Sequence, residues 1–85
     1  MSESGRLLGK QIAAARVLLG MGQTELAMAA RISIPTLRRM ELSSGAAPGY
    51  ANNVDAVRRA LESAGVEFIA ENGGGAGVRL RKGAP

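Results

Sequence analysis

The segment from Gln23 to Leu42 limits most strongly what this chain can fold into. Apolar residues recur at helical spacing over about Gln23–Ala30 and again over about Ser33–Leu42, with two residues between these stretches. Ser33 is a good helix N-cap, and Pro35 falls in the first turn, where a missing backbone N–H costs nothing. The segment therefore predicts two short helices that are joined by a tight turn.

The second of these helices has an apolar side and a cationic side. On a helical wheel, the inner side consists of Leu37, Met40 and Glu41. The outer side consists of Pro35, Arg38, Arg39 and Leu42. Ala27 supplies the small residue that two closely crossing helices need, and Ile32 fills the gap after the turn. This arrangement is typical of a helix-turn-helix, in which the second helix enters the major groove of DNA.

The remaining sequence predicts two more helices and a β-hairpin. A first helix is expected over roughly Ser4–Leu19, and a fourth over about Asn53–Ala64, with Asn53 as its cap. Two short β-prone stretches then flank a glycine-rich loop. We expect a single, mostly α domain in which residues 5–42 hold helices one to three, 43–52 are a connector, and 53–82 hold the fourth helix and the hairpin. Tyr50 is expected to fill a gap in the core or connector.

Composition excludes several classes of function. The 85-residue chain has no cysteine and no histidine, which removes the residues of most metal sites and nucleophilic triads, so we expect no metal, no cofactor and no enzymatic activity. The net charge of +4 favours a polyanionic partner. No window of about 18 apolar residues indicates a membrane span, and the N-terminus is unlike a secretory leader. A cytoplasmic, nucleoid-associated protein is expected.

Several positions together resemble the helix-turn-helix of the Cro/C1-type (Xre) family of phage and plasmid repressors. Gln23 opens the second helix, the pair Leu26-Ala27 follows, and Glu41 lies near the end of the third helix. Arg16 lies at the family's distance before Gln23. The resemblance covers about residues 7–48 and implies a lambda-repressor-like domain. It also implies that Arg16 pairs with Glu41, and we interpret this salt bridge as structural.

The resemblance places base recognition on the third helix. Arg38 and Arg39 are the candidate base-reading residues, with Arg39 favoured by its family position, because a guanidinium grips guanine O6 and N7 with two hydrogen bonds. The alternative for both is an ordinary solvated helix face. Pro35 and Ile34 are candidates for contact with a thymine methyl group, although Ile34 fits the core equally well.

Three further residues are candidates for contact with DNA phosphates: Gln23, Arg31 and Thr36. Gln23 lies at a helix N-terminus, where backbone amides favour an anion, and its alternative is plain exposure to solvent. Thr36 has a second interpretation as part of the helix cap. Arg31 occupies the turn position where the family usually has glycine, because the backbone there adopts a positive φ. An arginine at such a position costs on the order of 1 kcal/mol. Either the turn is slightly remodelled, or Arg31 keeps the strained backbone and reaches a phosphate beside the groove.

The C-terminal third is the expected dimerisation region. Its apolar residues exceed what so small a monomer is expected to bury. They are Val66, Phe68, Ile69, Val78 and Leu80. We expect a homodimer that binds a two-fold symmetric operator in double-stranded DNA as a repressor, with regulation by concentration, by a partner protein or by competition. Whether the hairpin pairs within one chain or across two is left open. The alternatives are an antitoxin that also represses its own gene and a protein-interaction module without DNA binding.

Overall fold

The computed structural model describes residues 7–43, 45, 47 and 51–83. In this part of the chain, helices are followed by a two-stranded antiparallel sheet. The elements are α1 (Gly9–Leu19), α2 (Gln23–Ala30), α3 (Ile34–Leu42), α4 (Ala51–Ala64), β1 (Val66–Ile69) and β2 (Gly77–Leu80). The prediction of a mostly α fold with a C-terminal hairpin is confirmed. The predicted helix start at Ser4 and the predicted position of Tyr50 lie outside the described residues.

The prediction that the first helix includes Leu7 and Leu8 is wrong, because α1 begins at Gly9. The Leu8 backbone is extended, and its N–H donates to Oε1 of Gln11 at 2.8 Å. The carbonyl oxygen of Leu7 accepts from the backbone N–H of Ala47 at 2.9 Å. These two residues therefore bond to the connector and to the first turn of α1 instead of extending the helix.

The predicted cap of the fourth helix is also wrong. Asn53 lies inside α4, which begins at Ala51. Alanine is the best helix former, so Ala51 is a favourable residue for this earlier start. The helix ends as predicted at Ala64, and Gly65 follows it with a φ of 123°. Gly65 allows the chain to turn from α4 directly into β1.

The hairpin pairs within one chain. Val66 lies opposite Leu80 and Phe68 lies opposite Val78. At its loop end, Nε2 of the buried Gln11 donates to the carbonyl oxygens of Ile69 and Gly77, at 3.3 and 2.9 Å. One side chain of α1 thus bonds to both strands and holds the hairpin against the helices.

The core lies where the helices and the hairpin meet. Its buried hydrophobic residues are Leu7, Ile12, Ala15, Leu26, Ala27, Ala30, Leu37, Met40, Val57, Leu61 and Val66. They are almost all aliphatic, and small alanines occupy several helix contacts. At one contact the backbones of α1 and α3 come so close that a Cβ atom added at Gly9 would lie 2.1 Å from the carbonyl oxygen of Met40. Only glycine fits that position without displacing backbone.

Candidate nucleic-acid interface

The turn between α2 and α3 keeps a left-handed backbone, which is the second of the two alternatives for Arg31. Arg31 adopts the left-handed conformation, with φ 60° and ψ 45°, and is the one non-glycine residue of the described chain with a positive φ. The next N–H, of Ile32, donates to the carbonyl oxygen of Ala27 at 3.0 Å. Ala27 is buried, and Ile32 packs against the core as predicted. The chain thus builds the tight turn with an arginine where glycine would be unstrained.

The orientation of α3 agrees with the helical wheel. The Ser33 hydroxyl accepts the N–H of Thr36 at 3.2 Å and caps the helix. Leu37 and Met40 are fully buried. The exposed residues of α3 are Pro35, Arg38, Arg39 and Leu42. The helix is therefore anchored by its apolar side and presents two guanidinium groups to the surroundings.

Arg16 and Glu41 form the predicted ion pair between α1 and α3. Two parallel hydrogen bonds join them, from Nε to Oε2 at 2.9 Å and from Nη2 to Oε1 at 3.0 Å. Nη1 of Arg16 also donates to the carbonyl oxygen of Met21 at 3.0 Å. The Glu41 side chain is only 6% exposed and that of Arg16 is 19% exposed. The hydrogen bond to Glu41 raises the pKa of Arg16, although burial opposes this shift.

The ion pair continues outward into a network that the sequence did not reveal. Nε2 of Gln23 donates to Oε1 of Glu41 at 3.0 Å, and Nε of Arg38 donates to Oε1 of Gln23 at 3.2 Å. A continuous series of hydrogen bonds therefore runs from Arg16 through Glu41 and Gln23 to Arg38. Phosphate binding by Gln23 stays a prediction, and its side-chain amide bonds to both Glu41 and Arg38.

The other predicted residues of α3 differ in how much surface they present. Nη2 of Arg39 lies 3.5 Å from Oγ1 of Thr36, which also accepts a hydrogen bond from the Ser33 hydroxyl at 2.8 Å. Thr36 is half-buried and takes part in the cap, which was its alternative interpretation. Ile34 packs against the core and Pro35 is exposed. Arg39 and Pro35 are thus more available to a ligand than Ile34 and Thr36.

Arg31 lies at the opposite end of α2 from Gln23. It lines an open groove of about 470 Å³ between α2 and α4, together with Arg59 and small residues of both helices. A helix of this length rises about 12 Å, so a phosphate bound by Arg31 would not be the one nearest Gln23.

The predicted dimerisation residues do not all lie at the surface. Val66 is fully buried in its own chain, so it presents no side chain to a second copy. Phe68 and Val78 are half-buried and pack against the core, and the guanidinium of Arg58 lies 5.5 Å from the centre of the Phe68 ring. Leu80 is 53% exposed. The apolar surface that the hairpin exposes for a second copy is therefore smaller than predicted. The monomer itself buries Val66 and partly buries Phe68 and Val78.

None of the helices in the described ranges is long and apolar enough to cross a membrane. In comparisons with known proteins, no family model matches the chain and no curated protein matches it.

Proposed function

We propose that this protein is a sequence-specific, double-stranded DNA-binding transcriptional regulator, and that it acts as a repressor. The observation that carries the proposal is the pair Arg38 and Arg39 on a helix whose other side is buried. A short helix with exposed cations, preceded by a tight turn and a supporting helix, has the shape and charge that fit a major groove.

Base recognition is assigned to the guanidinium groups of α3. Arg38 uses its Nε in the bond to Gln23, which leaves both terminal amino groups for guanine O6 and N7. Because the bond to Gln23 restricts the side chain before DNA arrives, less conformational freedom is lost on binding. Arg39 is held more loosely, by a long contact with Thr36.

Affinity would come mainly from phosphate contacts and would fall steeply with salt, because bound cations release counterions from DNA. As at any helix N-terminus, the first backbone N–H groups of α2, beside Gln23, lack partners within the helix and suit a phosphate. Two copies joined through the hairpin region would read half-sites about one helical turn apart. Leu80 and the half-buried Ile69 are the apolar residues of the strands that the core uses least.

Arg39→Ala is expected to relax sequence preference at one base position per half-site. A lost bidentate contact corresponds to roughly 1–3 kcal/mol of discrimination, about fivefold to more than a hundredfold in relative affinity. Selection of bound duplexes from a random pool, carried out with both proteins, measures site, symmetry and spacing together. Arg59→Ala is the matched control, since it removes an exposed arginine from α4 and should weaken binding without changing the selected sequence. The proposal fails if the wild-type protein binds no duplex at low salt, or if Arg39→Ala selects the same sequences as the wild type.

Arg31→Gly is expected to raise stability and to weaken binding to all sequences alike. Glycine tolerates φ 60° without strain, so the free energy of unfolding should rise by about 1 kcal/mol. Loss of one phosphate contact should lower affinity equally for specific and random duplexes and make the salt dependence shallower. Thermal unfolding and salt titrations measure the two effects separately. If stability and affinity both stay unchanged, Arg31 has neither role.

A further inference from the structure

An apolar patch lies beside the base-reading helix. We call it the α1–α3 patch, and its members are Ala13, Ala14, Val17, Leu18 and Leu42. Val17, Leu18 and Leu42 are 68%, 46% and 84% exposed. The α1 members recur three and four residues apart and so form one stripe along the helix. Ala13, which is half-buried, and Leu42 line one groove, and exposed apolar residues beside such a groove are typical of an interaction site.

A groove of about 370 Å³ lies between α1 and α3, beside the start of α2. It is lined by Ala13, Gln23, Arg38, Glu41 and Leu42. Ala13 and Leu42 are its apolar lining residues. The carboxylate of Glu41 is neutralised by its two bonds to Arg16. The bond from Arg38 goes to the uncharged amide of Gln23, so the net charge along this lining is the positive charge of Arg38.

We propose that the α1–α3 patch docks an acidic amphipathic helix of a partner protein. An apolar side chain of that helix would enter the groove between Ala13 and Leu42, and a carboxylate would pair with Arg38. Grooves between two helices commonly receive the apolar stripe of a third. The +4 charge of the chain and the cation at the groove favour an acidic partner.

A second copy of this chain fits the same surface poorly. In a two-fold interface the same patch meets itself, which would place two Arg38 guanidinium groups, one from each copy, in a single interface. Like charges facing each other oppose association. The occupant is therefore a different, acidic chain.

Docking at this patch would cover Arg38. If α3 reads bases, the partner and DNA exclude each other, and the partner releases the regulator from its operator. This consequence depends on the proposed function, whereas docking itself does not.

Three synthetic model helices test the proposal. The first carries leucine at the i, i+3, i+4 and i+7 positions with flanking glutamates, the second has lysines in place of the glutamates, and the third has serines in place of the leucines. We expect the wild-type protein to bind the first helix, and to bind each of the others at least about tenfold more weakly, as measured by fluorescence polarisation.

Two protein variants locate the binding surface. Leu42→Glu should weaken binding of the acidic helix at least about tenfold, since it places a carboxylate beside the groove. Met28→Glu is the matched control, because Met28 is 74% exposed on α2 outside the patch, and it should bind like the wild type. Circular dichroism melts show whether both variants are folded, and the exposure of both positions makes folding the expected result.

Three outcomes would overturn the proposal: no binding of the acidic helix to the wild type, equal binding by Leu42→Glu and Met28→Glu, or concentration-dependent self-association that Leu42→Glu abolishes. Competition between the acidic helix and a labelled duplex then separates the two ideas. A protein that binds the helix but no duplex disproves DNA binding and leaves the docking site intact. A protein that binds both at once disproves mutual exclusion.

Discussion

Glu41→Ala should lower the free energy of unfolding by about 3 kcal/mol, because removal of one partner leaves a partly buried charge uncompensated. Arg16 would lose both hydrogen bonds to the carboxylate and would keep only its bond to the carbonyl oxygen of Met21. Gln23 would lose an acceptor at the same time, which releases its hold on Arg38. Chemical denaturation measures the effect.

Glu67→Ala is the matched control for this prediction. Glu67 pairs with Arg79 on the hairpin at 2.6 Å, a shorter distance than in the Arg16–Glu41 pair, but the two side chains are 45% and 66% exposed. An exposed ion pair contributes about 1 kcal/mol or less. Glu67→Ala should therefore change stability far less than Glu41→Ala. Equal effects of the two substitutions would contradict the structural role of the buried pair.

Arg16 should stay protonated at ordinary pH, so its contribution to the stability of the Arg16–Glu41 pair should not change there. The pKa of Arg16 is raised above its usual value, first because of its hydrogen bond to Glu41. A cation with a raised pKa contributes its full stabilisation below the unfolded-state pKa and loses it only as the pH rises through the folded-state value. That window lies at strongly alkaline pH, so the contribution of Arg16 is constant near neutrality.

Gly9→Ala is the second substitution with a large expected effect, a loss of about 3 kcal/mol or more. The added Cβ would lie 2.1 Å from the carbonyl oxygen of Met40 and 2.8 Å from that of Ser43. Both neighbours are backbone atoms, so relief requires α1 and the end of α3 to move apart. The backbone N–H of Gly9 also donates to Gly45 at 3.0 Å, and that bond would be strained by such a movement.

Gly22→Ala provides the comparison for Gly9→Ala. An added Cβ at Gly22 meets nothing within 4 Å, and φ there is −82°, which any residue adopts. Its stability should change by less than about 1 kcal/mol. Thermal melts of both variants measure the difference. If Gly9→Ala and Gly22→Ala have the same melting temperature, then α1 and α3 are not packed as closely as described.

The sequence predicted the features that are set by local spacing. The helices α2 and α3 and the Ser33 cap follow from residues a few positions apart, and each is present. The Arg16–Glu41 pair was predicted only from the resemblance of this segment to Cro/C1-type repressors, since 25 positions separate the two residues.

Features that depend on distant contacts were not predictable in this way. Gln11 bonds to the hairpin across 58 and 66 positions, and no local pattern marks it as a bridge. Gly9 has an unremarkable place in a helical pattern, and its importance comes from backbone of α3 that lies beside it. The beginning of α1 was misplaced for the same reason, because the connector competes for the backbone groups of Leu7.

The series of hydrogen bonds from Arg16 to Arg38 connects the exposed Arg38 side chain to the buried carboxylate of Glu41. A ligand that immobilises the Arg38 guanidinium would also restrain Gln23 and, through it, the carboxylate that fastens α1. Opening fluctuations of α1 would then become rarer even with a ligand that contacts α3 and not α1. Conversely, a substitution at the buried end of the series would lower the specificity for the ligand, although none of the atoms that contact the ligand would change.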